Sequence, residues 1–195
     1  MTAKAQAPTA TDNAAWLDAK IASRIAAACG CAATTPDALL VAFEALKAKR
    51  IVLATPSIES VNLREIEFLT HHGYEVVSQV GLGLLEGTSM AAVTPSQWVD
   101  LVRSHRDDSA DVYFLSGTAI NVTSIIDTLE RELGRLVVTS NQVMLWHCLR
   151  LLDRIEVVDG LGALYTTNPA TAPPSRFTGR TCTRTRSRPV GERLR

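Results

Sequence analysis

Three short stretches hold the residues best suited to chemistry: Thr55-Pro56-Ser57, Ser116-Gly117-Thr118-Ala119 and Thr139-Ser140-Asn141. Each follows an apolar run and leads into a helical pattern. Hydroxyls and backbone N–H groups at helix N-termini suit a carboxylate or another small anion. The same side chains also serve as ordinary helix caps, and at this level both readings stand.

Other candidates fall away on spacing. Gly81-x-Gly83-x-x-x-Gly87 has its third glycine one position late for a dinucleotide fingerprint, and a mobile connection is the expected reading. Cys29-Gly30-Cys31 is too tightly spaced for a zinc knuckle and has no second Cys/His pair, so no metal is expected. Cys148 sits in an apolar helix as a packed thiol, and Cys182 lies near the C-terminus. None of the four thiols has the strand-end position of a nucleophile. His71-His72 should face solvent near a helix end, and His147 should be a satisfied structural residue. No G-x-S-x-G elbow supports Ser116 as a hydrolase nucleophile.

The loops need elements to hold them. Ile51–Ala54, Glu75–Ser78, Val112–Leu115 and Leu136–Val138 read as strands. Between them lie helical patterns long enough for crossovers, so a parallel sheet is expected. Thr35-Pro36 predicts a helix start with Thr35 as N-cap, running to about Lys49. Ile58, Val61, Ile66 and Leu69 predict a helix ending at Gly73. Thr94-Pro95-Ser96-Gln97 is a capping box. Val122, Ile125, Ile126, Leu129 and Leu133 predict a helix stopped by Gly134. Ser140-Asn141 offers capping oxygens to helix 142–152, which is apolar nearly all round and should be buried or pair subunits. Two strands, 112–115 and 136–138, run through short polar loops into helices, which puts both loops at the carboxyl edge of a sheet.

The totals allow one domain of an α/β class with extensions: 195 residues, 46% hydrophobic. No apolar run is long enough for a membrane span, and no secretory leader is visible in the N-terminus, so a cytoplasmic protein with reduced thiols is expected. The zero net charge hides an asymmetry. Arg176–Arg195 contains seven arginines and one acid, which leaves 13 basic and 19 acidic residues in the rest. An acidic body argues against nucleic-acid binding. Residues 1–14 and the tail 166–195 read as disordered.

The segment ADVYFLSGTAINVTSIIDTLERELGRLVVTSNQVMLWHCLRLL resembles the second half of the aspartate/glutamate racemase superfamily, in its maleate cis-trans isomerase and arylmalonate decarboxylase branch. WLDAKIASRIAAACGCAATTPDALLVAFEALKAKRIVLATPSIESVN and GLGLLEGTSMAAVTP extend that resemblance upstream, to about residues 15–165. It implies a two-lobed, pseudo-symmetric fold of which this chain carries one lobe, a four-stranded parallel Rossmann-like sheet flanked by helices over residues 37–165. Residues 15–36 would be a remnant of the first lobe, a helix and a short strand. The resemblance also implies cofactor-independent chemistry on small carboxylic or dicarboxylic acids, with one cysteine per lobe in the isomerases and racemases. A thiolate is a strong nucleophile near neutral pH. Loop amides and hydroxyls would hold the carboxylates and the charge that develops.

At the second cysteine position this sequence has Gly117, and at the tyrosine after the "TP" pair it has Ser57. The first-lobe cysteine would map at or before Met1. The resemblance therefore implies no catalytic side chain. The substrate-binding set becomes Ser57, Ser116, Gly117, Thr118, Ala119 and Asn141. The expected function is that of a related protein with weak or no isomerase activity. The alternatives are a non-catalytic carboxylate-binding or assembly protein and a truncated gene product.

Overall fold

Residues Ile51–Ala54 are apolar at every position, which marks a strand covered on both faces. In the computed structural model, which describes residues 24, 27, 33–152, 154 and 157–166, that strand is central. β1 (Arg50–Ser57) lies between β2 (Glu75–Leu84) and β3 (Val112–Leu115), and β4 (Leu136–Thr139) closes the far edge. The order β2-β1-β3-β4 is parallel throughout, with Leu53 opposite Phe114 and Phe114 opposite Val138. The four predicted strands are all present.

Side-chain alternation along the strands divides the core into two layers. Ile51, Leu53, Val112, Phe114 and Val138 pack with α1 (Thr35–Leu46), the end of α2 (Glu59–His71) and α6 (Ser140–Leu151). Val52, Ala54, Tyr113, Leu115 and Val137 pack on the other face against α4 (Pro95–Ser104) and α5 (Ile126–Leu133). α3 (Gly87–Ala91) is a single turn between β2 and α4. Burying two full sheet faces is what makes near-continuous apolar strands stable here.

Several boundaries differ from the sequence expectations, each for a local reason. α1 is capped by Thr34, whose hydroxyl accepts from the Asp37 N–H at 3.3 Å, so Thr35 is already helical. It stops at Leu46 because Lys47 enters the left-handed region (φ 55°), and the Ala48 N–H returns to the Phe43 carbonyl. Gly81–Leu84 is the second half of β2 and not a flexible connection: it pairs with Thr55 and Ser57 beyond an irregularity in the ladder. Gly81 suits that position, since a Cβ there would lie 2.6 Å from the Ser57 carbonyl oxygen and closer still to the Asn62 amide. A 3₁₀ turn, Thr123–Ile125, precedes α5, which Gly134 ends at φ 61° as expected.

α6 begins at Ser140, two residues earlier than expected, and its cap is Thr139. The Thr139 hydroxyl accepts from the Gln142 N–H at 3.2 Å, and the Gln142 side chain accepts from the Thr139 N–H at 3.0 Å. Val143 and Trp146 are buried, whereas Leu145 and Leu152 are exposed. His147 on α6 meets Asp37 on α1 at 3.3 Å, both buried; the role is structural, but its ring nitrogens make no hydrogen bond, so it is not the satisfied residue expected. No helix among the described residues is long and apolar enough to cross a membrane. The expectations for residues 1–14, Cys29, Cys182 and the Arg-rich tail beyond residue 166 lie outside the described residues, as does most of the helix expected from Ala15; of the short strand expected at 31–35, residues 33 and 34 form no strand and Thr35 is already helical.

Candidate functional site at the carboxyl edge of the sheet

The parallel sheet aims the ends of β1, β3 and β4 at one edge, but of the three stretches expected as loops only Ser116–Ala119 is one: Thr55–Ser57 completes β1, Thr139 ends β4, and Ser140 and Asn141 open α6. The Gly117 N–H donates to the Ser140 hydroxyl at 3.0 Å, and the Asn141 side-chain amide donates to the Thr118 carbonyl at 3.1 Å. Ser140 and Asn141 thus stitch the β3 loop to the start of α6, and the cap that they were expected to provide falls to Thr139. Pro56, near the end of β1, reaches the same point: a Cβ on Gly117 would stand 3.4 Å from its ring. Ser57 ends β1, with its N–H donating to the Thr55 hydroxyl at 3.0 Å. Of the six expected binding residues, Ser116, Gly117, Thr118 and Ala119 are consecutive after β3, with Ser116 buried, and Asn141 is hydrogen-bonded to Thr118. Ser57 belongs to the neighbouring strand end.

Gly117 has φ 134°, a conformation that L side chains rarely adopt. A Cβ there would also stand 3.1 Å from the Ile120 methyl. The loop is therefore shaped around the missing side chain.

α2 supplies residues that the sequence reading did not single out. Asn62 and Glu65, one turn apart, point at the ends of β1 and β3. Asn62 is buried; its carbonyl oxygen accepts from the Thr55 hydroxyl in a short hydrogen bond, and its amide donates to Gln79 at 3.3 Å. Glu65 Oε1 accepts from the Ser116 hydroxyl at 2.9 Å, and the buried Oε2 has no hydrogen-bond partner. Burial raises the Glu65 pKa, and the bond from Ser116 opposes the rise. A signal for both was present: residues 62, 65 and 69 share a face with the buried Leu69, so polar residues at 62 and 65 stand where apolar ones belong.

The remaining candidates lie elsewhere or are inert. Cys148 on α6 is half-buried against Met144, and burial raises its thiol pKa, the opposite of an activated nucleophile. His71 is exposed, but His72 is half-buried, with Nδ1 2.8 Å from the Phe68 carbonyl and its ring on Phe68. The glycines at 81 and 83 are strand residues, so no phosphate loop forms there.

The edge therefore presents small residues, hydroxyls, a flanking amide and one half-buried carboxyl. Comparison with known proteins places the chain. A maleate isomerase from Pseudomonas putida is 26% identical over 133 residues, covering 67% of this chain and 53% of that protein. An arylmalonate decarboxylase from Bordetella bronchiseptica is 32% identical over 120 residues, covering 60% of this chain and 50% of its own. The chain thus spans about half the length of the curated relatives it matches. The crystal structure of a maleate isomerase variant from Pseudomonas putida S16 with maleate superposes with a TM-score of 0.72 at 22% identity. It covers 78% of this chain and 62% of that one, a likeness of fold. The sequence profile of the arylmalonate decarboxylase family matches residues 14–165, and with that span the chain belongs to this family.

Proposed function

We propose that the carboxyl edge formed by Ser57, Ser116–Ala119 and Asn141 binds a small carboxylic or dicarboxylic acid, and that the protein has little or no maleate isomerase activity. The observation that carries both halves is the conformation of Gly117. Its loop turns without a side chain at the position where the family resemblance puts a thiol. Thr118 and Ala119 follow it at the end of β3, where backbone N–H groups can meet a carboxylate. The family membership and the maleate carried by one structural neighbour support the ligand class. Family chemistry of this kind needs a group that attacks or moves a proton beside the carboxylate. A glycine offers neither.

The test has two readouts on the same purified protein. Maleate and malonate should raise the thermal unfolding midpoint in a concentration-dependent way, since a ligand that binds only the folded state stabilises it. Loss of the maleate alkene signal in proton NMR should not exceed that of a heat-inactivated control. Sustained turnover would overturn the inactive half, and no stabilisation by either acid would overturn the binding half.

A further inference from the structure

The Ser116–Glu65 pair has a hydrogen-bond polarity that narrows the ligand. A serine hydroxyl carries a single proton, and that of Ser116 is given to Glu65 Oε1 at 2.9 Å. What Ser116 has left to offer is lone pairs. Glu65 Oε2 is a second acceptor, buried and without a donor. The ion pairs found among the described residues lie elsewhere, so no lysine or arginine balances this carboxyl. When Glu65 is ionised, a group brought against this corner meets acceptors and, if it is itself a carboxylate, a like charge. Buried acceptors without donors are costly, and a ligand hydroxyl or ammonium group removes that cost.

We propose that Glu65, acting through Ser116, is a specificity-determining residue: it makes the site prefer carboxylic acids bearing a hydrogen-bond-donating substituent over plain dicarboxylates. The inference rests on the carboxylate-binding reading and deepens it. It also distinguishes Glu65 from a simple clamp between α2 and β3, because a clamp would leave ligand preference unchanged.

The test is calorimetric titration of the full chain with malonate and with 2-hydroxymalonate, which differ by one hydroxyl. The wild-type protein should bind 2-hydroxymalonate ~5-fold or more tightly than malonate, the worth of about one net hydrogen bond. Glu65→Gln keeps an oxygen that accepts from Ser116 but removes the charge; it should bring the ratio toward one, mainly by tightening malonate. Ser116→Ala should lower the ratio by removing an acceptor, and Glu65→Ala repeats the charge test without a side-chain amide. Equal binding of the two acids by wild type, or an unchanged ratio in both Glu65 variants, would overturn this inference and leave the carboxylate site standing. Binding of neither acid would overturn both.

Discussion

Gly117 decides most at the scale of single residues. Its φ of 134° makes any side chain strained, and the Ile120 methyl at 3.1 Å from a notional Cβ adds crowding. Gly117→Ala is expected to destabilise the protein by about 1 kcal/mol or more, because alanine at positive φ loses more than it gains from a stiffer unfolded chain. Urea unfolding of the two proteins checks this, and an equal or higher midpoint for the variant would count against the strained loop. Asn62 and Glu65 show why part of the site was hard to read. A polar residue on the inner face of a helix usually signals tolerance at a rim, and one sequence cannot tell that from a built hydrogen bond. Only the folded chain brings residue 65 to residue 116, through contacts that no local spacing encodes. The strand-end hydroxyls were legible because they sit beside their own strands.

The elements were legible where their period was uninterrupted and misread where glycine carried two meanings. Strands β1, β3 and β4 announced themselves as short apolar runs, and the Thr94–Gln97 capping box stands as expected. β2 runs further than its pattern suggests, because glycines at 81 and 83 resemble a loop, yet Gly81 is needed for a close approach inside the sheet. At α6 the cap was placed one residue late. Thr139 closes β4 and opens the helix at once, so strand and helix share it. Thr139→Ala should therefore cost about 1 kcal/mol by loss of the cap. Because the same helix start holds Gly117 and Thr118, the substitution should also weaken acid binding; an intact binding isotherm at lowered stability would separate the two roles.

At the scale of the whole molecule, polar ties join segments distant in sequence. The Gln142 side chain donates to the Leu161 carbonyl, and the Tyr165 hydroxyl donates to the Gln142 carbonyl at 3.2 Å, so the segment after α6 is fastened to the helix start that floors the site. Burial pushes the Tyr165 pKa up to about 12. The folded state then holds this proton more tightly than the unfolded chain, where tyrosine titrates near ~10. Its contribution to stability is complete below that unfolded value and is lost as the pH rises through the folded one. The unfolding midpoint should fall between about pH 10 and 12 more steeply in wild type than in Tyr165→Phe. Parallel pH profiles would remove Tyr165 from the account. The parallel sheet was evident from the apolar runs and the crossover lengths between them; these ties between distant segments were not, since they depend on which loops the fold brings together.

The shape of the β3 loop also bears on attempts to re-engineer it. Were glycine merely tolerated at 117, a single codon change would put a thiol at the strand end. With the backbone at φ 134° and Ile120 and Pro56 closing on it, that step arrives on unreceptive ground. The neighbours and the loop path must change before a cysteine can be accepted, so the order of substitutions matters as much as their identity.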